Sequence, residues 1–410
     1  MKHEAQVKVL EELIDMIDNK SAPDAGRLVK NPTAQYVCKD RAAREWESFF
    51  QHHAQIIGIS GDLPEPGSFV TLNDLEIPIL ATRDKDGKFH AFVNACRHRG
   101  AVLTEDERGK QHRFACPFHA WTYNSEGTLL GIREPKQFGE IDKSCHGLVE
   151  LPSEEKYGLL VIHPQVDGSV DIDALLGAEL AAELETWQFE KSTFMINTPL
   201  EKDINWKICV DTFGENYHFH SLHKNQLDAM FHGDATSYEE FGRNHRLVVA
   251  SRYLDVLREK SKDLWSTTDA GIMVYYLFPN TIVAMFNRVI TLVRIYPVAG
   301  KPGRSVTRIS HYSAPHIGAE HAEEAVVMTD ENMYQTDMSQ RIEFSAESQV
   351  ALINSTLEHE DYYMAEKSQK AAESGKVEYF IFGRNEPALH HFHNGFREAL
   401  GELPLEEYRA

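Results

Sequence analysis

The first twenty residues set Val7, Leu10, Ile14 and Ile17 three or four positions apart among charged neighbours, the spacing of one apolar stripe on an amphipathic helix. They hold no unbroken apolar stretch and no small-residue cleavage site, so they read as a helix and not as a secretion leader. The pattern then changes. From about residue 65 to 135, short runs of Val, Ile, Thr and Phe are interrupted by turn-forming groups such as LND and DKDG, which predicts a small all-β domain. Within it YNSEGTLLG reads as a hairpin, with Gly127 suited to a position of positive φ. From about residue 165 helical spacing returns in DIDALLGAELAAELETW, and TFMINTPLEKDINWKICVDTFGENYHFHSLH passes from strand-like into helix-like residues. VYYLFPNTIVAMFNRVITLVRIYPVAG with SVTRISHYSA predicts consecutive antiparallel strands turning at PN, FNR and AGKPG. The stretch from HAEEAVVM to AAESG reads as helical for most of its length, and GRNEPALHHFHNGFREAL supplies a last helix. Strands followed by helices predict an α+β second domain.

Composition narrows the class. At 410 residues the chain exceeds what one hydrophobic core usually covers, so two domains are expected. A net charge of -21 argues against nucleic acid as a partner, because phosphate binding needs clustered Lys and Arg. No stretch approaches the roughly 18 uninterrupted apolar residues of a membrane span, and a cytoplasmic protein is expected. The five cysteines, at 38, 96, 116, 145 and 209, are odd in number and irregular in spacing. That pattern points to reduced thiols or metal ligands and away from a disulfide framework.

Two of them carry chemistry. NACRHRG places Cys96 beside His98, and FACPFHAW places Cys116 beside His119. Two thiolates and two imidazoles suit zinc, and they also suit an iron and sulfide cluster. A zinc finger draws both sulfurs from one knuckle and both histidines from one helical turn. A Rieske [2Fe-2S] centre instead holds one iron by two Cys and the other by two His. Two facing loops that each send one Cys and one His therefore favour the cluster.

CRHRGAVL and CPFHAWTYNSEGTLLG resemble the Rieske loops of the ring-hydroxylating, or Rieske non-haem iron, oxygenase α subunits. The similarity runs from about residue 45 to the last helix. It implies an all-β Rieske domain (45–160) followed by a catalytic domain of helix-grip, START/Bet v 1-like architecture with an antiparallel sheet (161–410), with 1–44 a helical segment packing on the latter. One departure is Ala120, where the family commonly has Gly after the second histidine; a small backbone adjustment is expected there.

A Rieske cluster moves one electron at a time, so chemistry needs a second centre. NWKICVDTFGENYHFHSLH offers His218 and His223, spaced H-x4-H. Side chains five apart on a regular α-helix diverge by about 140°, so the helix must be bulged or broken, a π-type bulge being the usual device. The segment is similar to the family's iron-binding helix, NWK included. The resemblance implies a mononuclear Fe(II) held by His218, His223 and a carboxylate on a late helix, in a motif of ED with Gln eight residues after the Asp. EHEDYYMAEKSQ matches with Asp361 and Gln369, Glu358 and Glu360 being the competing carboxylates. His220 reads as a pocket or packing residue. Glu215 occupies the position of the family's bridging carboxylate, implying hydrogen bonds from His218 and, across a subunit interface, from His119. Asp211-Thr212 stand where the family has Glu-Asn.

The resemblance implies the terminal oxygenase component of a multicomponent system. Electrons from NADH come through a separate reductase and possibly a ferredoxin, the chain itself having no GxGxxG fingerprint. O2 is used to hydroxylate or dihydroxylate a substrate, and an aromatic compound is expected from the apolar and aromatic residues near KNQLDAMFHG, VYYLFPN and IVAMFNR. N- or O-demethylation, including of quaternary amines, is the alternative, because Glu at the bridging position resembles the amine-oxidising branch. Transfer between subunits implies a trimer or larger ring, with or without a β subunit. A reading of another class is an electron-transfer or iron-sensing protein whose second site is vacant.

Overall fold

The computed structural model describes residues 1–224, 227–317, 326–328 and 342–409. The chain forms two compact units. One comprises Glu45–Leu175 with Gln188–Thr193; the other comprises Met1–Arg44, Leu176–Trp187 and Phe194–Ala410.

The smaller unit is built from short strands. A five-stranded sheet runs in the order Glu150–Leu151, Phe89–Val93, Ile79–Arg83, Ser68–Leu72, Arg108–Lys110. A three-stranded sheet of Arg113–Ala115, Thr122–Asn124 and Leu129–Gly131 forms the hairpins that carry the second Cys/His pair. Gly127 adopts φ +77°, and a Cβ there would lie 2.5 Å from the Phe92 ring, so both backbone angle and space demand glycine. The core gathers Phe69, Leu80, Phe92, Phe114, Trp121 and Tyr123, and it also buries Cys96 and Cys116.

In the larger unit, helix α1 (His3–Asn19) buries Val9, Leu10 and Leu13, with Val7, Ile14 and Ile17 half-buried at the stripe's edges. It packs on a seven-stranded sheet whose strands are β1 (Thr193–Lys202), β2 (Phe231–Phe241), β3 (Asn244–Ser251), β4 (Gly271–Leu277), β5 (Thr281–Phe286), β6 (Val289–Val298) and β7 (Lys301–Ser313). Their order is β1-β7-β6-β5-β4-β3-β2. From β2 to β7 each strand pairs antiparallel with the next, and from β4 to β7 they are joined at the turns the sequence predicts.

The remaining elements that position the site are α2 (Trp206–Asp211), α3 (Phe219–Leu222), α4 (Ala346–Thr356), α5 (Tyr362–Glu373) and α6 (Pro387–Ala399). A π-helical segment, Leu357–Asp361, joins α4 to α5 into one rod. The rod is held against the sheet by side chains: Asn354 accepts a hydrogen bond from His311 (3.0 Å) and Tyr362 shares one with Thr307 (2.8 Å). This is the helix-grip arrangement. Where helix was expected before α4, Val326–Met328 and Ile342–Phe344 instead form a parallel pair of short strands. Their β-branched and apolar residues favour pairing over helix. The rest of that expected stretch before α4, 321–325 and 329–341, lies outside the described residues, as do Asn225 and Gln226 of the expected pocket segment. Among the described residues no helix is long and apolar enough to cross a membrane.

Candidate metal centres

The two Cys/His loops of the smaller unit repeat one backbone design. Cys96 N donates to Ala101 O and Gly100 N to Cys96 O, both at 2.8 Å. Cys116 N donates to Trp121 O (2.8 Å) and Ala120 N to Cys116 O (2.9 Å). The fourth residue after each cysteine takes a left-handed conformation, Gly100 at φ +74° and Ala120 at +57°. Ala120 thus meets the loop's requirement without glycine, at a backbone cost of about 1–2 kcal/mol.

The loops face each other. The His98 and His119 rings lie 4.7 Å apart between centroids, and Trp121 stacks on His98 at 5.1 Å. Nδ1 of each histidine is buried without a hydrogen-bond partner. Two orphaned imidazole nitrogens beside two buried thiols make a donor set that a [2Fe-2S] cluster satisfies. Desolvation lowers the pKa of His119, helped by the charges of His98 and Arg99, which keeps its lone pair free for a metal. Tyr123, wholly buried, accepts from Arg97 N (3.0 Å) and reaches Cys96 Sγ at 3.5 Å, a contact of the kind that tunes cluster potentials. Nothing in the spacing of the sequence singled out this tyrosine.

In the larger unit the segment after α2 carries the second donor set. Asn205 caps α2 by accepting from Lys207 N (3.0 Å), and its own N–H donates to Gln369 Oε1 (3.0 Å). Gln369, eight residues beyond Asp361, therefore ties α5 to the start of the histidine segment, a physical reason for that spacing. The H-x4-H pair is reconciled by a break and not by a π bulge. His218 precedes the single turn of α3 and His223 follows it, leaving the helix at φ -99°, ψ 31°. The π-helical segment lies on the other ligand arm, at Leu357–Asp361.

These arms bring three atoms together. His218 Nε2 and His223 Nε2 are 3.1 Å apart; Asp361 Oδ1 is 3.1 Å from His223 Nε2 and 3.4 Å from His218 Nε2. Two imidazoles and one carboxylate within one ion's reach fit an Fe(II) facial triad. Glu358 is instead paired with Lys202 (3.0 Å), and Glu360 meets the far side of His223, Nδ1, at 2.6 Å. Glu215 accepts from His218 Nδ1 (2.6 Å) and His218 N (3.2 Å). His220 points elsewhere, between Asp228 and Asp234. Burial opposes charge on His218, but the hydrogen bonds and charges of Asp361 and Glu215 outweigh it and raise its pKa to about 10. Burial likewise opposes charge on Asp361, and the two histidines overcome it and lower its pKa. A bound cation would displace protons from this cluster.

Behind the site lies a buried polar group that the sequence did not reveal. Asp211 accepts from Tyr36 OH (2.9 Å) and from His393 Nε2 (2.7 Å). Its partners are 175 and 182 residues away, beyond the reach of any local pattern. In front, the triad opens on a cavity of about 130 Å³ walled by Phe213, Phe219, Met230, Phe231, Phe286 and Leu352, among others.

Two family models match the chain: the Rieske [2Fe-2S] domain over residues 53–151, and the ring hydroxylating alpha subunit (catalytic domain) over 189–402. The glycine betaine monooxygenase oxygenase subunit of Pseudomonas aeruginosa is 30% identical over 190 residues, 46% of this chain and 44% of that protein. The anthranilate 1,2-dioxygenase large subunit of Acinetobacter baylyi is 32% identical over 183 residues, 42% of this chain and 37% of that one. The chain thus spans less than half the length of these curated relatives. In fold it resembles a quaternary ammonium Rieske monooxygenase solved with L-carnitine, with a TM-score of 0.71 at 18% identity over 92% of this chain and 96% of that one. One model alone accounts for more than half of the residues, with the Rieske model upstream of it, and the chain belongs to the ring-hydroxylating α-subunit family of Rieske oxygenases.

Proposed function

We propose that the chain is the terminal oxygenase of a multicomponent system, acting on an uncharged, largely apolar substrate of one aromatic ring. The observation that carries this reading is the opening of the His218, His223 and Asp361 donor atoms onto an apolar cavity. Cys96 and Cys116 would hold one iron of a [2Fe-2S] cluster and His98 and His119 the other; His218, His223 and Asp361 would hold Fe(II). When bound, these groups supply single-electron transfer and O2 activation. Glu215 orients His218 and offers its carboxylate to His119 of a neighbouring copy, so the working form is a ring such as a trimer, in which each Rieske face meets a catalytic face. Electrons reach it from NADH through a reductase, with or without a ferredoxin.

The cavity supports the substrate class. Its volume is close to the roughly 150 Å³ that holds one benzene in an engineered protein cavity. Its described lining includes four Phe and seven Leu, Ile or Val side chains beside the one carboxylate of Asp361. Among the described lining residues no Lys or Arg would serve a substrate carboxylate as counter-ion. The relatives favour a second reading, oxidation of a quaternary amine, for which Phe213, Phe219, Phe231 and Phe286 would offer aromatic faces to a cation.

The test uses holoenzyme with NADH, a reductase and 18O2, supplied in turn with toluene, phenol, choline and glycine betaine. Label in a hydroxylated ring product is the expected result. Formaldehyde or an oxidised amine from the last two, with no ring product, would transfer the assignment to the second reading. Oxygen consumption that no substrate stimulates, with both centres loaded, would overturn both.

A further inference from the structure

We infer that Glu360 is a positioning residue for the catalytic iron, acting through His223 as Glu215 acts through His218. This rests on the reading that the triad holds a metal, and it assigns to Glu360 a role different from the ligand role for which its sequence position makes it a candidate.

The geometry is paired. Each imidazole offers Nε2 to the common point beside Asp361, and each has its Nδ1 held at 2.6 Å by a glutamate. A carboxylate only accepts hydrogen bonds, so both rings hold a hydrogen on Nδ1 and leave Nε2 as the nitrogen a metal would take once the second proton of His218 is displaced. That tautomer is the one a metal requires, and the carboxylate makes the ring a stronger donor. The two glutamates differ in origin. Glu215 lies three residues before His218 on the same segment, whereas Glu360 comes from 137 residues beyond His223, on the π-helical segment that also bears Asp361. Consecutive side chains on an α-helix diverge by about 100°, yet Glu360 and Asp361 reach opposite nitrogens of one ring. The looser π turn at Leu357–Asp361 permits this, and it gives the bulge a purpose. Glu360 thereby braces one ligand arm against the other before any metal arrives. His223 is 1% exposed, and the Glu360 side chain 27%, so the hydrogen bond is shielded on the ring side and reaches solvent on the other.

The experiment compares wild type, Glu360→Gln and Glu358→Gln, all with the Rieske cluster intact. Fe(II) affinity is measured anaerobically by competition with a chelator, and the visible spectrum of the Co(II)-loaded site is recorded. Glu360→Gln should weaken metal binding by about 10–100-fold and shift the Co(II) bands, with cluster absorbance unchanged. Glu358→Gln, which loses the Lys202 pair, should leave metal affinity within twofold. An affinity for Glu360→Gln within twofold of wild type, with unshifted bands, would overturn the inference. If that variant fails to fold, Glu360→Asp keeps the charge but shortens the reach: shifted Co(II) bands support the inference and wild-type bands refute it. Failure of the wild-type protein to bind either metal would instead defeat the reading of the triad itself.

Discussion

Glu386, just ahead of α6, offers a quantitative test of the charge distribution around the candidate iron site. Burial raises its pKa first; the backbone N–H of Gly383 opposes this, and the nearby carboxylates of Glu215 and Asp211 add to it, bringing the group to about 7 from an ordinary 4.5. A carboxyl whose folded pKa lies above its unfolded one contributes stability that is fully present below pH 4.5 and is lost as pH rises through 7. At 1.36 kcal/mol for each pH unit separating the two values, the loss amounts to about 3 kcal/mol. Glu386→Gln cannot ionise and keeps an oxygen for the Gly383 N–H. Urea unfolding followed by tryptophan fluorescence from pH 4.5 to 8.5 should therefore show wild type and variant equal at the acid end. The variant should become more stable as pH rises, by about 3 kcal/mol above pH 7. A difference that stays flat with pH, or that favours wild type in alkali, would refute the assignment of a neutral, buried Glu386 beside Glu215.

Other consequences are more local. Ala120→Gly should stabilise the smaller unit by a net of about 0.5–1 kcal/mol, relief of the left-handed backbone being partly offset by glycine's unfolded-state entropy, read as a rise of a few degrees in its calorimetric transition. Gln369→Ala leaves the buried Asn205 N–H without its acceptor and should cost about 1–3 kcal/mol in urea unfolding, with a drop in Fe(II) occupancy as the two ligand arms loosen. Tyr123→Phe removes the hydroxyl 3.5 Å from Cys96 Sγ and should lower the cluster's reduction potential without loss of iron, as followed by spectroelectrochemistry.

Much of this architecture was legible in the chain because the physics that sets it is local. Alternating apolar residues and turn chemistry gave the antiparallel strands from β4 to β7, and the Cys-x-His and Cys-x2-His order pointed to facing loops. The paired strands at 326–328 and 342–344 carry a β-branched signal too short to stand out from the polar residues around it, so the stretch has a helical pattern. His218 and His223 were recognisable as a pair that no regular helix could use, but whether the chain would bulge or break was not, since that depends on the packing of Phe219 against Phe231 and its neighbours. The joining of Asp211 to Tyr36 and His393, and of Glu360 to His223, depends on contacts across more than a hundred residues, which no window of sequence contains.

The proposed chemistry requires two separate iron centres in one chain. Iron, zinc and acid-labile sulfide should be counted in anaerobically purified protein, alongside the resonance of the dithionite-reduced state, for wild type and His223→Ala. About three irons and two sulfides per wild-type chain, falling to about two irons in the variant with the reduced-cluster signal unchanged and product formation abolished, is the predicted result. Zinc in place of iron at Cys96, His98, Cys116 and His119, or a variant that still forms product, would contradict it.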